Sequence, residues 1–181
     1  VRYYTEELTR RGKYDLTIWP YHAMLGGISH ALVSAVEEAV FFHSVARASQ
    51  PDFEVKGQNP LTEHYSALGP EIVDGPDGEP IAEKSDKFLQ KLHDFDAVII
   101  TGQAKSHCVA WTIEDLLHGI LETDPALATK VYLLDDCTSS VVIPGVIDYR
   151  EQSAEAFQHF VEHGMHLVHS STPMADWPGL G

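Results

Sequence analysis

The second half of the chain alternates between short apolar runs and longer segments in which apolar residues recur at helical spacing. Three runs have the length and composition of strands buried in a parallel sheet. They cover residues 96–101, 130–134 and 165–168. The segments 107–122 and 150–163 predict helices, and Gly164 is a usual helix stop after the second. Strands that alternate with helices at this rhythm predict an α/β fold built on a parallel sheet.

The first half of the chain predicts shorter elements separated by turns. Residues 1–14 and 29–48 have helical spacing; the first segment closes on Gly12 and the second starts with Ser29 as its N-cap. Residues 85–93 predict a polar helix. The other predicted features are a short apolar stretch, 16–19, interrupted by Pro20; a strand, 53–55, that ends at Lys56 and Gly57; and a turn, 74–78.

The composition fits a single domain over residues 1–181. Of the 181 residues, 44% are hydrophobic and 22% are charged, close to ordinary globular usage. The formal net charge, 12 − 27 = −15, repels phosphate backbones and anionic headgroups, so we expect no nucleic-acid partner and no membrane-surface role. No apolar run reaches the roughly 18 residues of a membrane span. Two cysteines cannot make a disulfide framework, which favours a reducing, cytoplasmic compartment.

Candidate chemistry lies where the predicted strands end, because ligands of parallel sheets bind at the carboxyl ends of the strands. Cys108 follows the run 96–101 at the start of a helix, where the helix dipole and free N–H groups favour a thiolate nucleophile. Lys56 follows the strand 53–55 and offers a cation for that thiolate. The alternatives are a buried, unreactive Cys108 and a solvated Lys56. Cys137 has no helix start behind it and is predicted to be core or loop filler, so we expect Cys108 to be the reactive thiol.

Four segments together resemble the motifs of the isochorismatase-like cysteine hydrolases, a superfamily that includes the nicotinamidases. Thr-Gly-Gln-Ala-Lys-Ser-His-Cys-Val at 101–109, with Thr112 and Asp115 after it, resembles the nucleophile motif. The other segments are Trp-Pro-Tyr-His at 19–22, Phe-Glu-Val-Lys-Gly at 53–57 and Glu-His-Tyr-Ser at 63–66. They occur in the family's order and span nearly the whole chain, so the resemblance is specific.

The resemblance implies a fold and a set of site residues. The fold is a three-layer α-β-α arrangement with a mainly parallel sheet of about six strands and helices on both faces. Cys108 corresponds to the nucleophile and Lys56 to the lysine of the catalytic triad. The resemblance also places a non-proline cis peptide at Gln103–Ala104, an oxyanion hole at the N–H groups of Ala104 and Cys108, and Trp19 and Tyr65 in the substrate pocket.

Two parts of the family pattern have no full match in this chain. The family's catalytic aspartate ends its first strand in an Asp-x-Gln segment, and we expect that strand to precede Val1 and to be missing from this chain. Asp96 and Asp135 are not substitutes, since they belong to other strands. Of the family's metal ligands only His22 has a counterpart, which leaves a divalent metal such as zinc as a weakly supported cofactor. His159 and His163 lie four residues apart and are predicted to be surface histidines.

The function implied by the resemblance is a cysteine hydrolase of small, non-peptide C–N bonds. The simplest substrate is a nicotinamide-like amide, cleaved through a thioester acyl-enzyme. One alternative keeps the cysteine chemistry on a carbamoyl or ureido compound. The other is a non-catalytic binding or assembly module of the same fold, which a missing aspartate favours. A vinyl ether such as isochorismate fits less well, because the family members that cleave it lack the cysteine. Homo-oligomers are common in the family.

Overall fold

The computed structural model describes residues 1–11 and 16–181, which form two compact units, Val1–Val55 and Lys56–Gly181. The predicted end of the first helix, at Gly12 and Tyr14, lies outside the described residues. The single domain expected over 1–181 stays a prediction. Within the described residues, no helix combines the length and apolar character needed to cross a membrane.

The first unit consists of two helices and an irregular segment between them. Helix α1, Arg2–Arg10, buries Tyr4 and Leu8. Helix α2, Ser34–Arg47, starts after Val33, with no side chain capping its first turn. The predicted N-cap at Ser29 is wrong, because Ser29 lies in a separate 3₁₀ turn, Ile28–His30, and the chain becomes α-helical only at Ser34. The large apolar side chains of α2 are mostly exposed.

The strand predicted at 53–55 is also wrong. Residues 51–59 are in neither a helix nor a strand. Phe53 and Val55 are 74% and 47% exposed, so the segment has no buried face to hold it in a sheet. The alternation of apolar and polar residues that predicted the strand is too short to decide the structure by itself.

The elements of the second unit are α3 Lys87–Asp94, β1 Val98–Gln103, α4 Ala110–Thr123, β2 Val131–Ser139, β3 Val142–Ile143, β4 Ile147–Asp148, α5 Arg150–Glu162 and β5 His166–Val168. The unit is built on a parallel sheet of three strands in the order β1-β2-β5. The helices α3, α4 and α5 precede, connect and cover these strands, and a small antiparallel hairpin, β3–β4, stands apart. The α/β prediction is confirmed, whereas the described residues contain fewer than the six parallel strands expected.

The two faces of this sheet are covered differently. On one face, alternate residues of β1 and β2 pack with α3, α4 and α5 in the main core of the unit. On the other face, Tyr132 stacks on Trp177 from the C-terminal segment. Helices therefore cover one face within this unit, where the prediction placed them on both. Because that second face is only partly covered, Ile99 in β1 is 40% exposed, and the expectation of a fully buried run was wrong there.

Strand β2 bulges away from β1 near its carboxyl end. Ile100 pairs with Leu133, and Gly102 pairs with Thr138. Between these two pairs the chain advances by two residues in β1 and by five residues in β2, which defines the bulge. Gly102 adopts a φ of +122°, a backbone conformation that favours glycine. Cys137 lies on the bulge with an exposed side chain, so of its two predicted positions, core or loop filler, the core is excluded. After the bulge, Gly102 and Gln103 at the carboxyl end of β1 pair with Thr138 and Ser139, and the chain then enters the turn that carries Cys108.

Candidate active site

Cys108 lies just beyond the carboxyl end of β1, as the parallel-sheet argument predicted. The Gln103–Ala104 peptide bond is cis. A π-helical turn, Lys105–Val109, follows it and runs into α4. The carbonyl of Ala104 accepts hydrogen bonds from the N–H groups of His107 and Val109, both at 3.1 Å. These bonds close the turn and hold the half-buried Cys108 at the start of the helical segment.

Lys56 lies in contact with the sulfur of Cys108. Its Nζ is 3.3 Å from Sγ, within hydrogen-bonding distance of the sulfur. The same ammonium donates to the carbonyl oxygens of His64, at 2.7 Å, and Tyr65, at 2.9 Å. An ammonium has three donors, and here each meets an acceptor. A cation fixed this close to the sulfur stabilises negative charge on it, which is what a thiolate nucleophile needs.

The two carbonyls belong to a loop that we call the strap, residues 62–68. The hydroxyl of Thr62, the first residue of the strap, donates to the carbonyl of Ile72 at 2.8 Å. Ile72 lies beyond the end of the strap, so this bond joins the two sides of the loop. His64 is oriented by the N–H of Gly57, which donates to its Nδ1 at 3.1 Å. The strap therefore presents its main-chain oxygens to Lys56 from a braced position. Main-chain acceptors have no signature in the sequence, so the motifs could not reveal them.

His107 is a buried residue of the site. It belongs to the motif at 101–109, but the sequence predicted no role for it. Its side chain is 5% exposed, and its Nδ1 lies 2.9 Å from the hydroxyl oxygen of Ser106. The ring packs between the rings of Tyr65, at 5.7 Å between centroids, and Tyr149, at 4.8 Å. Burial lowers the pKa of the His107 imidazole, since a charged ring would lose its hydration there.

This burial predicts a pH dependence of stability. As pH falls below the ordinary histidine value of 6.5, the unfolded chain takes up a proton at His107 that the folded chain resists. The free energy of unfolding should therefore fall between pH 6.5 and the lower pKa of the folded state. In urea unfolding followed between pH 5 and 7.5, His107→Asn should reduce that slope. The same replacement of the exposed His93 is the control, and equal slopes in wild type and His107→Asn would contradict the prediction.

Lys105 and Asp135 tie the turn that carries Cys108 to the bulge of β2. The two side chains form a half-buried ion pair, and the Lys105 ammonium also lies 4.3 Å from the centre of the Phe157 ring. Next to them, hydrogen bonds from Ser170 lower the pKa of Asp136. The Asp135 carboxylate is thus paired with the Lys105 ammonium.

The chain is similar to nicotinamidases in sequence and in structure. The chain is 28% identical over 164 residues to the nicotinamidase of Escherichia coli (strain K12), a match that covers 89% of this chain and 60% of that protein. It is also similar to two structures of the yeast nicotinamidase Pnc1p. The structure bound to the inhibitor nicotinaldehyde has a TM-score of 0.54 at 22% identity and covers 87% of this chain and 61% of that one. The other has a TM-score of 0.50 at 23% identity, with 88% and 63% covered. No protein-family model matches the chain.

This chain has the fold of the nicotinamidases. The resemblance to the isochorismatase-like cysteine hydrolases is confirmed at the level of the fold. The chain spans about 60% of the length of the curated nicotinamidase that it matches.

Within the nicotinamidase fold, the candidate site residues are divided between the two units. Lys56, Tyr65, Ala104 and Cys108 belong to the second unit, where the contact between Lys56 and Cys108 is made. Trp19 belongs to the first unit and is half-buried there. A pocket shared by Trp19 and Tyr65 stays a prediction.

The divalent metal implied by the resemblance has no site among the described residues. His22 is exposed, and its Nδ1 lies 2.7 Å from the carbonyl oxygen of Pro20. In residues 1–11 and 16–181, no three His, Cys, Asp or Glu side chains are grouped so that they could hold a metal ion. His159 is exposed and His163 half-buried, with ring centres 4.3 Å apart on α5.

Proposed function

We propose that this chain carries the active site of a cysteine amidase that hydrolyses a small, nicotinamide-like amide. The observation behind the proposal is the contact between the Lys56 ammonium and the Cys108 sulfur, 3.3 Å apart. A lysine held by two carbonyls against a cysteine at the start of a helical turn is an arrangement that activates a nucleophile. The similarity to nicotinamidases supports the choice of a small amide as substrate.

The proposed reaction proceeds in two halves. The Cys108 thiolate attacks the amide carbon, and the N–H groups of Ala104 and Cys108 hold the oxyanion of the tetrahedral intermediate. The C–N bond then breaks, and the nitrogen takes up a proton and leaves as ammonia, which creates a thioester on Cys108. Water attacks that thioester, the C–S bond breaks, and the carboxylic acid is released with the thiolate restored. The proton transfers are assigned to the aspartate expected from the resemblance.

Lys56 has one role in both halves of this reaction. Its positive charge favours the thiolate before attack and again when the sulfur leaves the thioester. Because the ammonium is held by the main chain of the strap, its position does not depend on a bound substrate. Tyr65, whose carbonyl holds Lys56, is proposed to line the pocket with its ring, and Trp19 is proposed to offer a face for a flat substrate.

The proposal is tested with the protein expressed from its complete gene. Ammonia release is measured with nicotinamide, with small aliphatic amides and with a ureido compound, and the Cys108 peptide is examined by mass spectrometry after acid quenching. We expect ammonia and the carboxylic acid from nicotinamide, and an acyl adduct on Cys108. Turnover of the ureido compound alone would overturn the substrate class. Turnover of none of the compounds would overturn the assignment as a hydrolase.

A further inference from the structure

One hydroxyl group joins the strap to the turn that carries the proposed nucleophile. The side chain of Thr112, on the first turns of α4, donates a hydrogen bond to the carbonyl oxygen of Cys108 at 2.6 Å. The hydroxyl oxygen of Thr112 in turn accepts a hydrogen bond from the main-chain N–H of Ala67 in the strap, at 2.9 Å. Thr112 is half-buried, so both bonds are shielded from competing water.

The position of Ala67 in the strap gives this contact its importance. Two residues before it, Tyr65 presents one of the carbonyls that hold Lys56, and His64 presents the other. A displacement of the strap would move both oxygens, and the Lys56 ammonium would move with them. The bond from Ala67 to Thr112 is thus a direct tie between the element that holds the cation and the helix that holds the sulfur.

We propose that Thr112 is a positioning residue that sets the distance between the Lys56 ammonium and the Cys108 sulfur. This inference rests on the proposed function for its catalytic consequence, whereas its geometric part stands on the contacts alone. Thr112 touches neither the substrate nor the reacting sulfur in this scheme. It acts by linking the carbonyl of Cys108 to the strap through a single oxygen that accepts one hydrogen bond and donates another.

The alternative is that Thr112 only stabilises its own helix. A threonine hydroxyl inside a helix often bonds to the carbonyl four residues earlier, without any further role. Thr123, on the same helix, does this: its hydroxyl donates to the carbonyl of Gly119 at 2.7 Å, and the residue is largely solvated. Thr123 therefore provides a matched control, with the same local bond and no bond to the strap among its described contacts.

The test compares Thr112→Val, Thr112→Ser and Thr123→Val in a Cys137→Ser background. Valine keeps the shape of threonine and removes the hydroxyl, whereas serine keeps the hydroxyl. The first readout is the rate of Cys108 alkylation by iodoacetamide at pH 7, which requires no amide substrate. The second is kcat and KM for ammonia release.

We expect Thr112→Val to lower the alkylation rate and kcat by about tenfold with little change in KM, the scale of one lost hydrogen bond. Thr112→Ser and Thr123→Val should remain near the parent values.

The outcomes separate this inference from the proposed function. If the parent protein hydrolyses no amide but Thr112→Val still slows alkylation relative to Thr123→Val, the positioning role stands and the proposed function falls. If Thr112→Val folds and keeps both rates within twofold of the parent, the positioning role is overturned. If Thr112→Val does not fold, Thr112→Ala removes the same hydroxyl with less crowding and must show the same loss. Failure of serine to restore the alkylation rate would also overturn the proposal.

Discussion

Replacing Cys108 with alanine is expected to lower kcat for amide hydrolysis by on the order of 10³-fold or more. The covalent route needs a sulfur nucleophile, and alanine offers no atom that can form the thioester. Since Cys108 is half-buried and alanine is smaller, the fold should tolerate the change. The measurement is ammonia release under saturating substrate, together with the loss of the acyl adduct in mass spectrometry.

The second cysteine of the chain supplies the control for this experiment. Cys137 lies on the exposed bulge of β2, and Cys137→Ala removes a thiol without touching the turn that carries Cys108. Its kcat should match that of the parent protein. Comparable losses in both variants would point to a general effect of removing a cysteine and would contradict the role of Cys108. Retention of parent activity in Cys108→Ala would refute the covalent mechanism.

Replacing Lys56 with methionine is expected to lower kcat/KM by about 10²- to 10³-fold, the scale of removing a preorganised electrostatic group. Methionine keeps most of the length and the apolar stem of lysine but has no charge. The carbonyls of His64 and Tyr65 then lose their donor, and the sulfur loses its neighbouring cation. In a Cys137→Ser background, the alkylation rate of Cys108 at pH 7 should fall together with kcat/KM, because both depend on the thiolate.

A lysine at the opposite end of the sheet is a closely matched control. The Nζ of Lys130 also donates to two main-chain carbonyls, those of Leu92 at 2.7 Å and Phe95 at 2.9 Å. Lys130 precedes β2, whereas Cys108 lies beyond the carboxyl end of β1, and these strands are parallel. Lys130→Met should reduce stability and leave the alkylation rate unchanged. An equal fall of that rate in both variants would show that the effect of Lys56 is not specific to its contact with sulfur.

The position of Cys108 could be anticipated because ligands and reactive groups of parallel sheets lie at the carboxyl ends of the strands. The apolar run before Cys108 and the motif around it were long enough to place the cysteine correctly. The segment 53–57 was too short to predict its own structure correctly. Phe53 and Val55 are exposed, and the segment forms no strand. Lys56 nevertheless reaches the sulfur, because its ammonium is positioned by the strap and does not need a strand before it.

Other parts of the site depend on contacts that a linear pattern does not encode. The bulge of β2 lengthens the strand to Ser139, although the apolar run that predicted it ends at residue 134. The strap acts through main-chain carbonyls, which every residue possesses. The buried His107 ring packs between Tyr65 and Tyr149, both 42 positions away in the chain (107 − 65 and 149 − 107), and these rings meet only in the folded protein. Each of these contacts joins residues that are not neighbours in the chain, so a local sequence pattern could not predict it.

The use of carbonyl oxygens to hold Lys56 has a consequence for how proteins of this kind can diverge. The carbonyl of Tyr65 would remain in place if another side chain stood at this position, because the oxygen belongs to the backbone. A mutation of Tyr65 can therefore reshape the neighbouring surface without releasing the lysine. The side chains of His64 and Tyr65 can thus differ between related proteins while both carbonyls that hold Lys56 are retained.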